Sequence, residues 1–233
     1  MAVQIPLAIA LDVDSTFDNF YTTKASQACV NFLKEFVSAN PGANEKLVYL
    51  WGQSGSGVSH LIEAVQHYAL SLSIQYLPLQ ELLHHSPADI FDGLEALDMV
   101  CVDDMDCLCG NTQWEQALFH CFNRLRDAGK RILIGAHQSP RQLPLQLSDL
   151  QSRLQWGMTF YLPALSEAEQ SAVLAFRAQR LGLALPDELI HYVLQRVGRS
   201  NRELVDMIKQ LNHQSLVEQR KLTIPFVKKV LDL

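Results

Sequence analysis

Five short runs rich in aliphatic, β-branched and aromatic residues, "KLVYLWG", "SIQYLPL", "LDMVCVDD", "RILIGAH" and "MTFYLPA", recur between Lys46 and Ala164. Stretches that read as helix separate them, at 58–71, 87–95 and 113–127, with a short one before the last run. Strands that are apolar on both faces and alternate with helices predict a parallel sheet covered on both sides. After Pro163 only helical periodicity remains. Leu189, Ile190, Val193, Leu194 and Val197 repeat at helical spacing, as do Leu204, Met207, Ile208 and Leu211. Ser166 and Glu169 are placed to satisfy each other's backbone donors as a capping box. Pro186 and Pro225 sit early in predicted helices, where a missing N–H costs little. The expected organisation is an N-terminal tail over 1–14, an α/β domain over 15–163 and a small helical domain over 164–233.

The first run leads into "GQSGSGVS", residues 52–59, and then a helix whose predicted inner face holds Leu61, Ile62, Val65 and Leu70. Gly52 and Gly57 have the spacing of a phosphate-binding loop, G-x-x-x-x-G-K-[ST], whose backbone N–H groups wrap a phosphate at a helix N-terminus. Ser59 holds the magnesium-hydroxyl position, but Val58 stands where the lysine belongs. The plain alternative is an ordinary glycine-rich turn. The third run ends in Asp103 and Asp104, the place of a metal-holding acid and a water-polarising acid in such folds. In isolation the pair also reads as a solvated turn. The fourth run ends in His137, a position for a polar sensor of the terminal phosphate or simply a surface histidine.

Composition narrows the classes. The chain has 233 residues, 48% hydrophobic and 19% charged, ordinary for a globular protein with real cores. A net charge of −6 gives little electrostatic footprint for DNA, so direct DNA binding is expected to be weak or absent. Five cysteines without a C-x-x-C pair indicate reduced thiols rather than a disulfide framework or zinc site. The apolar start carries no Lys or Arg before Lys24 and is broken by Gln4 and Pro6, unlike a signal peptide or a membrane span. A cytoplasmic protein without membrane attachment is the expectation.

The segments "STFDNFY", "YLWGQSGSGVSHL", "VCVDD", "LQSRLQWG" and "QRKLTIPFVKKVLDL" together resemble the AAA+ core of the bacterial initiator DnaA, and more closely the Hda family of short DnaA homologues. The resemblance covers nearly the whole chain. It implies an AAA+ P-loop fold with a helical lid, and a negative regulator of replication initiation. Such a regulator works with the DNA polymerase III sliding clamp (beta subunit) on DNA, and promotes hydrolysis of the ATP held by DnaA. Arg153 takes the arginine-finger position, acting in trans, and Arg202 the second sensor in the lid. Gly52, Gln53, Ser54, Gly55, Ser56, Gly57, Val58, Ser59 and His60 form the nucleotide loop, with Asp103 and Asp104 as Walker B and His137 as sensor 1. Ser59 and Asp103 are the implied Mg2+ ligands. Phe17, Asn19, Phe20 and Tyr21 are candidates to frame a purine base. Gln4, Ile5, Leu7 and Ile9, in "QIPLAI", resemble the family's clamp-binding peptide, which docks extended into an apolar pocket. DnaA continues into a helix-turn-helix domain at the point where this sequence ends, at Leu233. Homodimer formation stays an open alternative.

Val58 removes one charge-assisted contact, worth roughly 1.5–3 kcal/mol, from the phosphates. His137 stands where the initiator usually carries an acid. A diphosphate has less charge to neutralise, so the expected ligand is a nucleoside diphosphate, ADP first, held structurally between domain and lid with little or no turnover of triphosphate. The competing readings are a free-standing NTPase using Asp104, and a single-strand DNA-binding or helicase-loading AAA+ protein.

Overall fold

The computed structural model describes residues 12–38, 45–196 and 201–231, without the side chains of Asn201 and Arg202. The candidate clamp peptide (Gln4, Ile5, Leu7, Ile9), Val197 and the Arg202 side chain therefore lie outside the described residues. The chain forms two compact units: the described residues of 1–53 and 57–163, and those of 54–56 and 164–233.

The first unit is a five-stranded parallel sheet of β1 (Leu47–Trp51), β2 (Ile74–Pro78), β3 (Met99–Asp103), β4 (Arg131–Ala136) and β5 (Met158–Tyr161), in the order β2-β3-β4-β1-β5. The side-chain alternation of β1 divides the core. Leu47 and Tyr49 point into one apolar cluster; Val48 and Leu50 point into the other. Helices α1 (Gln27–Phe36) and α2 (Val58–Tyr68) cover the second face, through Leu33, Phe36, Leu61 and Ile62. The short helices α3 (Leu79–Leu82) and α4 (Pro87–Ile90), with α5 (Thr112–Asp127) and α6 (Ser148–Leu154), cover the first. Burial on both faces is why β1, β3 and β4 read as continuous apolar runs, whereas β5, at the sheet edge, is largely exposed.

Two expectations need correction. The predicted 58–71 helix stops at Tyr68, so Leu70, expected on its inner face, is 89% exposed. The stretch over 87–95 is not one helix: after α4, Gly93 takes a left-handed φ of 69°, and a short 3-10 turn follows over Leu94–Ala96. Helix α1 was not expected at all, although Cys29, Val30, Leu33 and Phe36 repeat on its buried face.

The second unit holds α7 (Glu167–Arg180), α8 (Asp187–Leu194), α9 (Asn201–Glu218) and α10 (Ile224–Leu231) around Leu174, Ile190, Leu204, Ile208, Leu211 and Val227. Ser166 and Glu169 form the predicted capping box, with Glu169 N–H donating to Ser166 Oγ at 3.3 Å and Ser166 N–H to Glu169 Oε2 at 2.9 Å. Pro186 caps α8, and Pro225 lies in the first turn of α10.

All five cysteines are free: Cys29, Cys101 and Cys121 are buried, Cys107 and Cys109 half-buried. Among the described residues no helix is long and apolar enough to cross a membrane.

Candidate nucleotide site

Three loops leave the carboxyl ends of adjacent strands β1, β4 and β3. In open parallel sheets this end, at a reversal in strand order, is where ligands bind. The loop after β1 starts with Gly52, whose N–H donates to Ala136 O at 3.2 Å, and ends at the α2 N-cap, Gly57, with φ 97°. A Cβ at Gly57 would stand 2.7 Å from Phe20 Cε2, so conformation and space both demand glycine there. Gln53 and Ser54 are exposed, while the Ser56 hydroxyl is buried without a hydrogen-bond partner. A buried hydroxyl left over in a glycine loop fits an absent polar ligand.

Val58 is only 8% exposed and belongs to the apolar cluster with Leu61 and Ile62. The position of the lysine has become part of the core. Its neighbour Ser59 does keep the expected company, because its hydroxyl lies close enough to Asp103 to oppose the rise of that carboxyl.

Asp103 ends β3 at 2% exposure. Its Oδ2 accepts from the Tyr76 hydroxyl at 3.0 Å and its Oδ1 from Asp104 N–H at 2.9 Å. Burial pushes the carboxyl up from its ordinary value, and Ser59 and the hydrogen bonds from Asp104 N–H and Tyr76 oppose that shift. Asp104 follows in the left-handed region, φ 55°, and is pushed up to about 6 by burial and then by the Asp103 charge. Next in line, Asp106 ties two loops together. Its carboxylate accepts from the His137 N–H at 2.6 Å and the Gln138 N–H at 3.1 Å, and meets His137 Nδ1 at 3.1 Å. His137 thus stands at the end of β4 beside the acid pair, its ring oriented by Asp106.

Among the described residues no three acidic, cysteine or histidine side chains cluster to cage a metal. Ser59 and Asp103 fit the lighter arrangement in which Mg2+ keeps waters and is shared with phosphates. Bound there, it would neutralise phosphate charge.

The aromatic candidates divide. Phe17 is 7% exposed, belongs to the apolar cluster with Val58 and Leu61, and packs edge-on to the exposed Tyr68 at 5.4 Å. Phe20 instead lies beside Gly57 and 5.4 Å from the His60 ring, whose Nε2–H donates to Thr16 O at 2.8 Å. Asn19 serves the same turn, donating through Nδ2 to Asp14 O at 3.1 Å. Tyr21 is half-buried.

Arg153 stands apart from these groups, in the last turn of α6. Its guanidinium carbon is 4.5 Å from the Trp156 ring and 5.3 Å from that of Phe119, and its Nε and Nη1 are buried without an acceptor. Tyr76, Asp106, Phe119 and Trp156 were not legible as site residues. Tyr76 reaches Asp103 from the neighbouring strand, a pairing no spacing within one sequence reveals; Trp156 does carry a signal, following Arg153 at helical i, i+3 spacing.

The sheet order, glycine loop and strand-end acids define an AAA+ P-loop architecture, followed by a helical lid. The model of the bacterial DnaA ATPase domain matches residues 11–161, and that of the Hda lid domain matches 167–231. The chain belongs to the bacterial DnaA ATPase-domain family and carries an Hda-type lid. Solved structures share the fold. Domain III of the Thermotoga maritima replication initiation protein DnaA is 24% identical, with TM-score 0.79 over 96% of this chain and 98% of that one. A replication initiator DnaA bound to AMPPCP and single-stranded DNA is 20% identical, with TM-score 0.74 over 91% and 70%. The Thermotoga maritima RuvB Holliday junction branch migration motor is 18% identical, with TM-score 0.69 over 94% and 71%.

Proposed function

We propose that this chain is a DnaA-directed regulator of replication initiation that lends Arg153 to the nucleotide of a DnaA neighbour. The observation that carries the reading is a DnaA-type ATPase core whose lysine position is filled by a core valine, Val58, joined to an Hda-type lid. A core that has given up its own phosphate-contacting cation is suited to assist another active site rather than to turn over in its own.

In that role the Arg153 guanidinium meets the charge that develops on a transferring γ-phosphoryl group, the effect an arginine finger supplies. The guanidinium is held between the Phe119 and Trp156 rings, with no acidic partner at its Nε and Nη1, which supports a role for its charge elsewhere. The chain's own loop holds a nucleoside diphosphate, ADP, as a structural ligand, with Ser59 and Asp103 toward Mg2+ and little hydrolysis of triphosphate. Gln4, Ile5, Leu7 and Ile9 tether the protein to the sliding clamp on DNA by extended-peptide docking.

The test is hydrolysis of ATP preloaded on DnaA, with clamp-loaded DNA, by the intact chain and by Arg153→Ala. The intact chain is expected to stimulate hydrolysis and the variant to lose stimulation while still binding the clamp. Removing the first nine residues is expected to abolish clamp binding. No stimulation by the intact chain overturns the proposal.

A further inference from the structure

We infer that Trp156 is a positioning residue for Arg153, holding its guanidinium against an aromatic face; the inference rests on the reading of Arg153 given above. The local chain geometry brings the two together. Beyond Leu154 the backbone turns back, Gln155 N–H donating to Ser152 O at 3.2 Å and Trp156 N–H to Arg153 O at 3.1 Å. This return carries the indole round to the guanidinium. Gly157 then fixes the turn: a Cβ there would collide with the Leu47 carbonyl and side chain, so the chain passes tight against the start of β1 before entering β5. The Trp156 backbone cannot drift without disturbing the β1–β5 pairing that begins at Val48 and Met158.

Phe119 of α5 completes the clamp. Arg126, itself held by Asp127 at 2.7 Å, approaches the same indole at 5.8 Å. A cation beside an aromatic face is attracted by the ring quadrupole, most strongly to tryptophan, and an arginine so held loses less freedom when it acts. Nε and Nη1 are buried in this contact without a hydrogen-bond partner, so the aromatic faces, and no carboxylate, hold this edge of the guanidinium. Trp156 itself is 57% exposed. Its replacement therefore opens no core cavity, and the fold should survive the test.

Stimulated hydrolysis of DnaA-bound ATP is measured against the concentration of intact protein, Trp156→Ala and Trp156→Phe. A positioning role predicts a maximal rate at least about tenfold lower for the alanine variant, because misplacing a reacting group by about 1 Å costs up to about a hundredfold. The half-saturating concentration is expected to stay within about twofold, and phenylalanine, which retains a π face, to restore most of the rate. Independently of DnaA, the NMR signal of Arg153 Nε–H is expected to show a ring-current displacement that falls in Trp156→Ala to the part the Phe119 ring contributes. Failure of the intact protein to stimulate overturns the regulator reading and this role with it. Full activity of Trp156→Ala beside an active intact protein overturns the positioning role alone. So does an unchanged maximum with a raised half-saturating concentration, which would make Trp156 a partner contact, or the absence of the ring-current displacement.

Discussion

A lysine introduced at position 58 would have to lift its ammonium clear of the cluster that Val58 shares with Leu61 and Ile62. An α2 first-turn residue can do so, because the loop beside it is open to solvent at Gln53 and Ser54. Val58→Lys is expected to tighten triphosphate binding by about ten- to a hundredfold, the equivalent of one charge-assisted contact. Calorimetry should show a smaller gain for diphosphate. The acid pair makes a different prediction. With its carboxyl pushed up to about 6 against an ordinary 3.8, Asp104 binds its proton more tightly folded than unfolded. Its contribution to stability is therefore present below pH 3.8 and lost as pH rises through about 6. Asp104→Asn removes that loss and tolerates the left-handed backbone, so it is expected to raise the melting temperature at pH 7 relative to pH 4 when compared with the parent. A parallel shift at both pH values would contradict this. At this scale, what the sequence made readable was local: glycine spacing, the Ser59 hydroxyl and the acid pair each lie within a few consecutive residues. Tyr76 and Asp106 escaped because their partners come from other strands.

Glu115 shows how one helix organises several connections. It lies in the first turn of α5, fully buried, and accepts Gly110 N–H at 2.9 Å through Oε1 and Leu147 N–H at 2.8 Å through Oε2. A single carboxylate thereby fixes the turn entering α5 and the residue that caps α6, the helix bearing Arg153. Glu115→Ala would strand two backbone donors, at about 1–3 kcal/mol each. The urea midpoint is expected to fall, and the α6 amides to exchange hydrogen faster than those of α2. Equal exchange in both helices would show that Glu115 is a general core residue. Elements were legible where helical periodicity or an apolar run was pure, as in α8, α9 and the strands, and where a cap marked the start, as at Ser166 before α7. Leu70 and the 87–95 stretch misled because apolar residues continued past the point where the backbone left helical geometry, at Ala69 and Gly93. The sequence of α1 carries its periodicity plainly in Cys29, Val30, Leu33 and Phe36.

The whole chain shares its architecture with a DnaA domain and with a branch migration motor at 24% and 18% identity. Architecture at this scale cannot separate their tasks. The family matches separate this chain from the motor: the DnaA ATPase-domain model over residues 11–161 and the Hda lid model over 167–231. The cysteines lend the molecule a further, practical property. Burial, with nearby carboxylates at Cys107 and Cys109, pushes Cys29, Cys107 and Cys121 up to about 12 and Cys109 to about 11, and raises Cys101 too. Thiols react with electrophiles as thiolates, so at neutral pH the native set is almost silent. A single cysteine engineered onto the exposed flank of the lid, for instance at Leu216, would take nearly all of a maleimide dye, making the protein its own low-background reporter of assembly.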